Sequence, residues 1–118
     1  MESVIKIISI NVNELDITKA KTLIKLAQNY HIICLQEVHN VSKYIKNYIE
    51  DKLNTIVLIQ HDHTSARSGV GIIINKTNTK QEWKPIMTPK ELQGRIIHIE
   101  YNKIQIINVY IPPSRKQK

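Results

Sequence analysis

Two oxygen-bearing side chains, Asn11 and Glu37, each follow a β-branched apolar run, Val4 to Ile10 and His31 to Gln36. An amide oxygen and a carboxylate are hard ligands suited to Mg²⁺, which takes one or two carboxylates and keeps several waters. Taken singly, an Asn after a strand is more often a turn or cap residue and a lone Glu a solvated one. Other groups offer less. His61-Asp62-His63 has the look of a metal clip, yet the polar stretch His61 to Ser68 after a β run reads as a loop. Cys34 lies in the apolar run Ile32-Ile33-Cys34-Leu35 and reads as a buried reduced thiol. Trp83, alone in a chain without Phe, reads as the anchor of a small core before it reads as a base-stacking platform.

The elements must bring the first two residues together. Val4 to Ile10 reads as a central strand buried on both faces. From about Thr18 to Asn29, Ala20, Leu23, Ile24, Ala27 and Tyr30 fall at helical spacing, with Asp16 or Thr18 as cap and Lys19, Lys21 and Lys25 mostly on the other face. His31 to Gln36 is the next strand, so a right-handed βαβ unit is expected. Parallel pairing then puts Asn11 and Glu37 side by side at the strands' C-terminal ends, the edge where open α/β sheets collect ligands.

Ser42 can cap a second amphipathic helix carrying Val41, Ile45, Tyr48, Ile49 and Leu53 on one face. Thr55 to Gln60 returns as a strand, and Gly69 to Asn75 reads as a hairpin edge between the polar stretches His61 to Ser68 and Lys76 to Gln81. Gly94 to Tyr101 and Lys103 to Tyr110 flank Asn102 so closely that an antiparallel hairpin is nearly forced. Pro112-Pro113 and a basic tail close the sequence.

The size, 118 residues, fits one domain, residues 1–118. Seventeen Lys and Arg against ten Asp and Glu give a net charge of +7, which favours a polyanion unless the lysines merely solvate the surface. A single cysteine excludes an intramolecular disulfide and points to an intracellular location, the nucleus included. No run approaches the roughly 18 apolar residues of a membrane span, so no membrane partner is expected.

Whole segments carry further information: Ile8-Ser9-Ile10-Asn11-Val12-Asn13, Ile32-Ile33-Cys34-Leu35-Gln36-Glu37-Val38-His39, Ser68-Gly69-Val70-Gly71, Gly94-Arg95 and Asn108-Val109-Tyr110-Ile111-Pro112. In this order and spacing they resemble the first half of the endonuclease/exonuclease/phosphatase superfamily, which has the DNase I-like fold. Within that superfamily they look most like the apurinic/apyrimidinic endonuclease-like domains that begin LINE-type retrotransposon proteins. The resemblance implies the N-terminal half of a four-layer α/β sandwich, a mixed sheet with two helices on one face. It implies that Asn11 and Glu37 contact a catalytic Mg²⁺ or Mn²⁺ and that the Tyr110 hydroxyl reaches the scissile phosphate of DNA. Asn13 would support the metal residues, and His39 and Arg95 would lie near the substrate backbone.

The chain also departs from that pattern. Position 14 is Glu where the family usually has Gly, and the family's Asp-His pair, Asp-x-Asn motif and further Asp have no counterpart after Tyr110. The expectation is a truncated endonuclease domain, inactive alone, with one apolar sheet face bare for a missing C-terminal half or a second copy to cover. Two alternatives stand beside it: a non-catalytic basic module that binds nucleic acid or a partner, and a phosphatase or lipid phosphodiesterase of the same superfamily.

Overall fold

The computed structural model describes residues 4–60, 68–76 and 82–111. Along the chain run β1 (Ile7–Asn11), α1 (Ile17–Ala27), β2 (Ile32–Gln36), α2 (Lys43–Lys52), β3 (Thr55–Gln60), β4 (Val70–Asn75), β5 (Trp83–Ile86), a 3-10 turn (Lys90–Leu92), β6 (Ile96–Tyr101) and β7 (Ile104–Val109). The first four strands form a mixed sheet in the order β1-β2-β4-β3, parallel only between β1 and β2. The last three form an antiparallel sheet in the order β5-β6-β7.

Strand alternation sorts the apolar runs into two cores. From β2 and β4, Ile33, Leu35 and Ile73 face the helices and meet Ala20, Leu23, Ala27, Ile45 and Ile49. Their neighbours Ile32, Cys34, Val70, Ile72 and Ile74 face the other way and meet Ile97, Ile99, Tyr101 and Ile106 of the second sheet. A strand buried on both faces needs a continuous apolar sequence, which is why β2 and β4 show no polar alternation. The result is three layers, helices on one side of the mixed sheet and a second sheet on the other.

Local chemistry fixes the ends of these elements. Asp16, not Thr18, caps α1, its Oδ1 accepting from the Lys19 N–H, and Ser42 caps α2 by accepting from Ile45. Glu50 on α2 pairs with Lys46 and also accepts the Val57 N–H, which ties the helix to β3. Asn102 and Lys103, both left-handed, make the two-residue turn between β6 and β7, the kind that matches strand twist. Trp83 packs into the second core as an anchor.

Three expectations change. The bare face expected of the mixed sheet is covered by β5, β6 and β7, because the last third of the sequence folds back over it. β1 is an edge strand among the described residues, not a central one: it pairs with β2 alone, and Ile7, Ser9 and Asn11 are exposed. The Gly69 to Asn75 run is no edge, since β4 lies between β2 and β3 and every residue of it is buried. Apolar surface does remain, on the outer side of β7, where Ile107 is 53% and Ile111 80% exposed. Among the described residues no helix is long and apolar enough to cross a membrane.

Glu14 occupies a left-handed conformation, φ 81°, in the loop between β1 and α1. Such a backbone costs a non-glycine residue about 1–2 kcal/mol, and the greater unfolded freedom of glycine returns about 0.5–1 kcal/mol of that. Glu14→Gly is therefore expected to stabilise the chain by about 0.5–1 kcal/mol in urea unfolding, with the slope unchanged. A loss of stability would show that the Glu14 side chain contributes more than its backbone strain costs.

Candidate functional site

The parallel ladder pairs Asn11 with Gln36 at its last rung. Beyond it the two chains stay zipped: Val12 N–H donates to Gln36 O at 3.0 Å, Glu14 N–H to Glu37 O at 2.7 Å and Leu15 N–H to Val38 O at 3.1 Å. Glu37 therefore lies beside the loop that Asn11 opens. On its other side, Val38 N–H donates to Gly69 O and His39 N–H to Ser68 O. Gly69 has φ +108°, and a Cβ there would meet a Val38 methyl at 3.0 Å and two backbone oxygens at 3.4 Å, so only glycine lets the chains approach.

This edge holds four non-glycine residues with left-handed backbone: Asn13, Glu14, Glu37 and His39. Each such residue costs on the order of 1 kcal/mol, and strain of this kind collects where geometry is needed for chemistry. Here it aims consecutive side chains away from the paths that strand and helix would give them.

Tyr110, just past β7, donates its hydroxyl to Glu37 Oε2 at 2.7 Å. Its backbone N–H donates to the Arg95 carbonyl at 2.8 Å, which fixes the Tyr110 main chain at the start of β6. Burial raises the Tyr110 phenol pKa above its ordinary 10.0, and the hydrogen bond and charge of Glu37 raise it further. At neutral pH the group is a hydrogen-bond donor. Asn11 Oδ1 accepts the Asn13 N–H at 3.1 Å in a local turn that orients the amide.

A second polar cluster lies in the same groove, whose walls include Ser9, Asn11, Cys34, Gln36, Asn108 and Tyr110. Asn108, 3% exposed, points inward from β7. Its Nδ2 donates to Leu35 O at 2.9 Å and Gly71 O at 2.7 Å. Its Oδ1 accepts from Gln36 Nε2 at 2.8 Å, and Gln36 Nε2 also donates to Ser9 Oγ at 2.9 Å. Only an NH₂ can serve two carbonyls, so the amide orientation of Asn108 is determined. The clasp joins β1, β2, β4 and β7 beneath the Glu37–Tyr110 contact. Cys34 lines the groove as an inert thiol, its pKa pushed up by burial to about 11.

The fold thus gathers Asn11, Glu37 and Tyr110 at one edge, with Asn13 bonded to Asn11. Arg95 joins through its backbone, and His39 lies two residues beyond Glu37 with its Nε2 buried and without a hydrogen-bond partner among the described residues. His61-Asp62-His63 lies outside the described residues. Sequence reasoning missed the clasp and Lys19. Asn108 and Gln36 were visible only as parts of blocks, although a polar residue in phase with inward Ile106 was a signal for a buried amide. Lys19 looked like a solvated helix lysine.

The oxygen donors of Asn11 and Glu37 suit a hard divalent cation that keeps most of its waters. Among the described residues there is no group of three His, Cys, Asp or Glu side chains that could hold a metal by themselves. The pair is a partial donor set of the right chemical type.

The Glu37 contact has a pH signature. Because the folded phenol of Tyr110 sits above the unfolded value of 10.0, its stabilisation is complete below about pH 10 and fades as pH rises through the folded value. Phenolate absorbance, with Tyr110→Phe to assign the step among the five tyrosines, is expected to show a Tyr110 midpoint above 10. Glu37→Gln should lower that midpoint only part of the way, because burial remains the larger cause. A midpoint indifferent to Glu37→Gln would contradict the contact.

No family model and no curated protein matches the sequence. Solved structures do. An AP endonuclease from Archaeoglobus fulgidus superposes with a TM-score of 0.65 at 21% identity, over 92% of this chain and 42% of that one. The AP endonuclease LMAP from Leishmania major superposes with a TM-score of 0.62 at 15% identity, over 92% of this chain and 40% of its own length. The chain spans about two-fifths of these neighbours. At such identity the likeness concerns the fold: a mixed α/β arrangement of two helices and two sheets resembling the DNase I-like fold of AP endonucleases.

Proposed function

We propose that the chain is part of a metal-dependent phosphodiesterase that cuts DNA, and that Asn11, Glu37 and Tyr110 are its share of the active site. The contact of Tyr110 Oη with Glu37 Oε2, between residues 73 positions apart, carries the reading. The fold shared with AP endonucleases and the net charge of +7 support nucleic acid as the partner.

Glu37 and the Asn11 amide oxygen would hold the cation, Mg²⁺ or Mn²⁺, which when bound neutralises charge developing on the phosphoryl group and leaving oxygen. Tyr110 keeps its proton at neutral pH and would turn this single donor from Glu37 Oε2 to a non-bridging phosphate oxygen when DNA is bound. The local turn at Asn13 stops the Asn11 amide from rotating away. His39 and Arg95 would be supporting contacts for the nucleic-acid backbone, a guanidinium being well shaped for phosphate. LINE-type retrotransposon ancestry and an intracellular, including nuclear, location belong to the same proposal.

Attack by water also needs a base held near the phosphate. The 118 residues contain no Asp-x-Asn, the motif that would follow in the second half of such a domain. The chain alone should therefore bind DNA without cutting it, and a C-terminal half or a second copy would have to complete the site.

Two assays test this. With Mg²⁺, plasmid nicking by the purified chain should not exceed that of Glu37→Ala or of an EDTA control. Its affinity for a labelled duplex, with or without an abasic site, should fall at least about tenfold between 50 and 200 mM salt, because phosphate binding releases counterions. Chelator-sensitive nicking lost in Glu37→Ala would show a complete site. An affinity indifferent to salt would overturn nucleic acid as the partner.

A further inference from the structure

Lys19 breaks a local rule. It stands in the first turn of α1, where the helix dipole disfavours a cation, and that turn holds no acidic residue. Yet its side chain is half-buried and bent back against the preceding loop. Nζ donates to Val12 O at 2.6 Å and to Asn13 O at 2.7 Å. The two carbonyls belong to the residues that follow Asn11, and the Asn13 N–H is the group that holds Asn11 Oδ1.

The geometry points to Lys19 as a positioning residue for divalent-cation binding at Asn11 and Glu37. This inference rests on the proposed function and adds a residue to it. The loop from Asn11 to Asp16 contains two consecutive left-handed residues, Asn13 and Glu14, a conformation that needs outside support. Support comes from three directions. Glu37 O takes the Glu14 N–H, Asp16 Oδ1 takes the Lys19 N–H, and the Lys19 ammonium closes the loop by gripping both carbonyls.

Val12 is buried and the bond from the ammonium to its carbonyl is partly buried, so removing the ammonium takes a charged donor from an acceptor that water only partly replaces. Relaxation of that carbonyl turns the Val12–Asn13 peptide and moves the N–H that orients the Asn11 amide. A ligand oxygen held by one local hydrogen bond is sensitive to such a turn, in the way that outer partners of metal ligands are generally felt at the metal. Lys19 does not touch the cation or the substrate; it acts through the peptide next to a ligand.

The test uses the 118-residue chain and Mn²⁺ alone as probe. In ¹⁵N-labelled protein, Mn²⁺ should broaden the side-chain amide signals of Asn11 and the backbone amides near Glu37, and a titration yields the dissociation constant. Lys19→Met should weaken Mn²⁺ binding about tenfold or more and shift the Asn11 side-chain amide signals even before metal is added. Lys19→Arg, which keeps a charged donor for both carbonyls, should restore most of the affinity. Thermal melts show that each variant is folded, and a merely structural lysine would change the melt and leave the affinity of the folded protein alone.

Binding by Lys19→Met within twofold of the parent, with Asn11 signals unmoved, would overturn the inference and leave the metal reading intact. A parent chain in which Mn²⁺ broadens nothing near Asn11 or Glu37 would overturn both.

Discussion

The Asn108 side chain is the contact on which the rest of the architecture turns. Among the described residues it is a buried polar link between two sheets that meet mainly through Ile, Val, Leu, Cys, Tyr and Trp side chains, and non-directional apolar packing does not fix register. By donating to carbonyls of both β2 and β4 and accepting from Gln36, it sets where β7 lies along the mixed sheet. Tyr110 follows two residues later. Its reach to Glu37 is a consequence of that register, because a one-residue slip of β7 would turn its side chains to the opposite face.

The strained edge is organised around the same point. Glu37 follows Gln36, whose amide is held by Asn108 and Ser9, so the left-handed turn at Glu37 starts from a fixed residue. Gly69 lets Val38 and His39 pair closely with the approach to β4. From the other side Lys19 braces the loop after Asn11. Backbone strain at Asn13, Glu14, Glu37 and His39 is tolerated because each is bounded by a core strand or a capped helix.

Much of this was legible in the sequence. The βαβ unit, both helices, the Ser42 cap and the β6–β7 hairpin follow from apolar periodicity and from the shortness of the link at Asn102. What the residues could not show was which sheet each strand joins. Val4 to Ile10 is apolar enough to pass for a buried strand, yet β1 pairs with β2 alone among the described residues. The cover over β2 and β4 comes from strands later in the chain that form a separate sheet, a packing of sheet on sheet that local pattern does not encode. Asn11, Glu37 and Tyr110 were recognisable because their segments resemble a family, whereas the amide of Asn108 and the ammonium of Lys19 act through backbone carbonyls that carry no sequence signature.

The most direct test of this ordering is Asn108→Ala, studied by urea unfolding together with phenolate titration of Tyr110. Losing the buried bonds to two carbonyls and to the Gln36 amide should cost about 2–4 kcal/mol. The Tyr110 midpoint should also fall towards 10, as β7 loses its register and the phenol leaves Glu37. A variant that keeps the parent's stability and its raised Tyr110 midpoint would contradict the claim that this one amide positions the site.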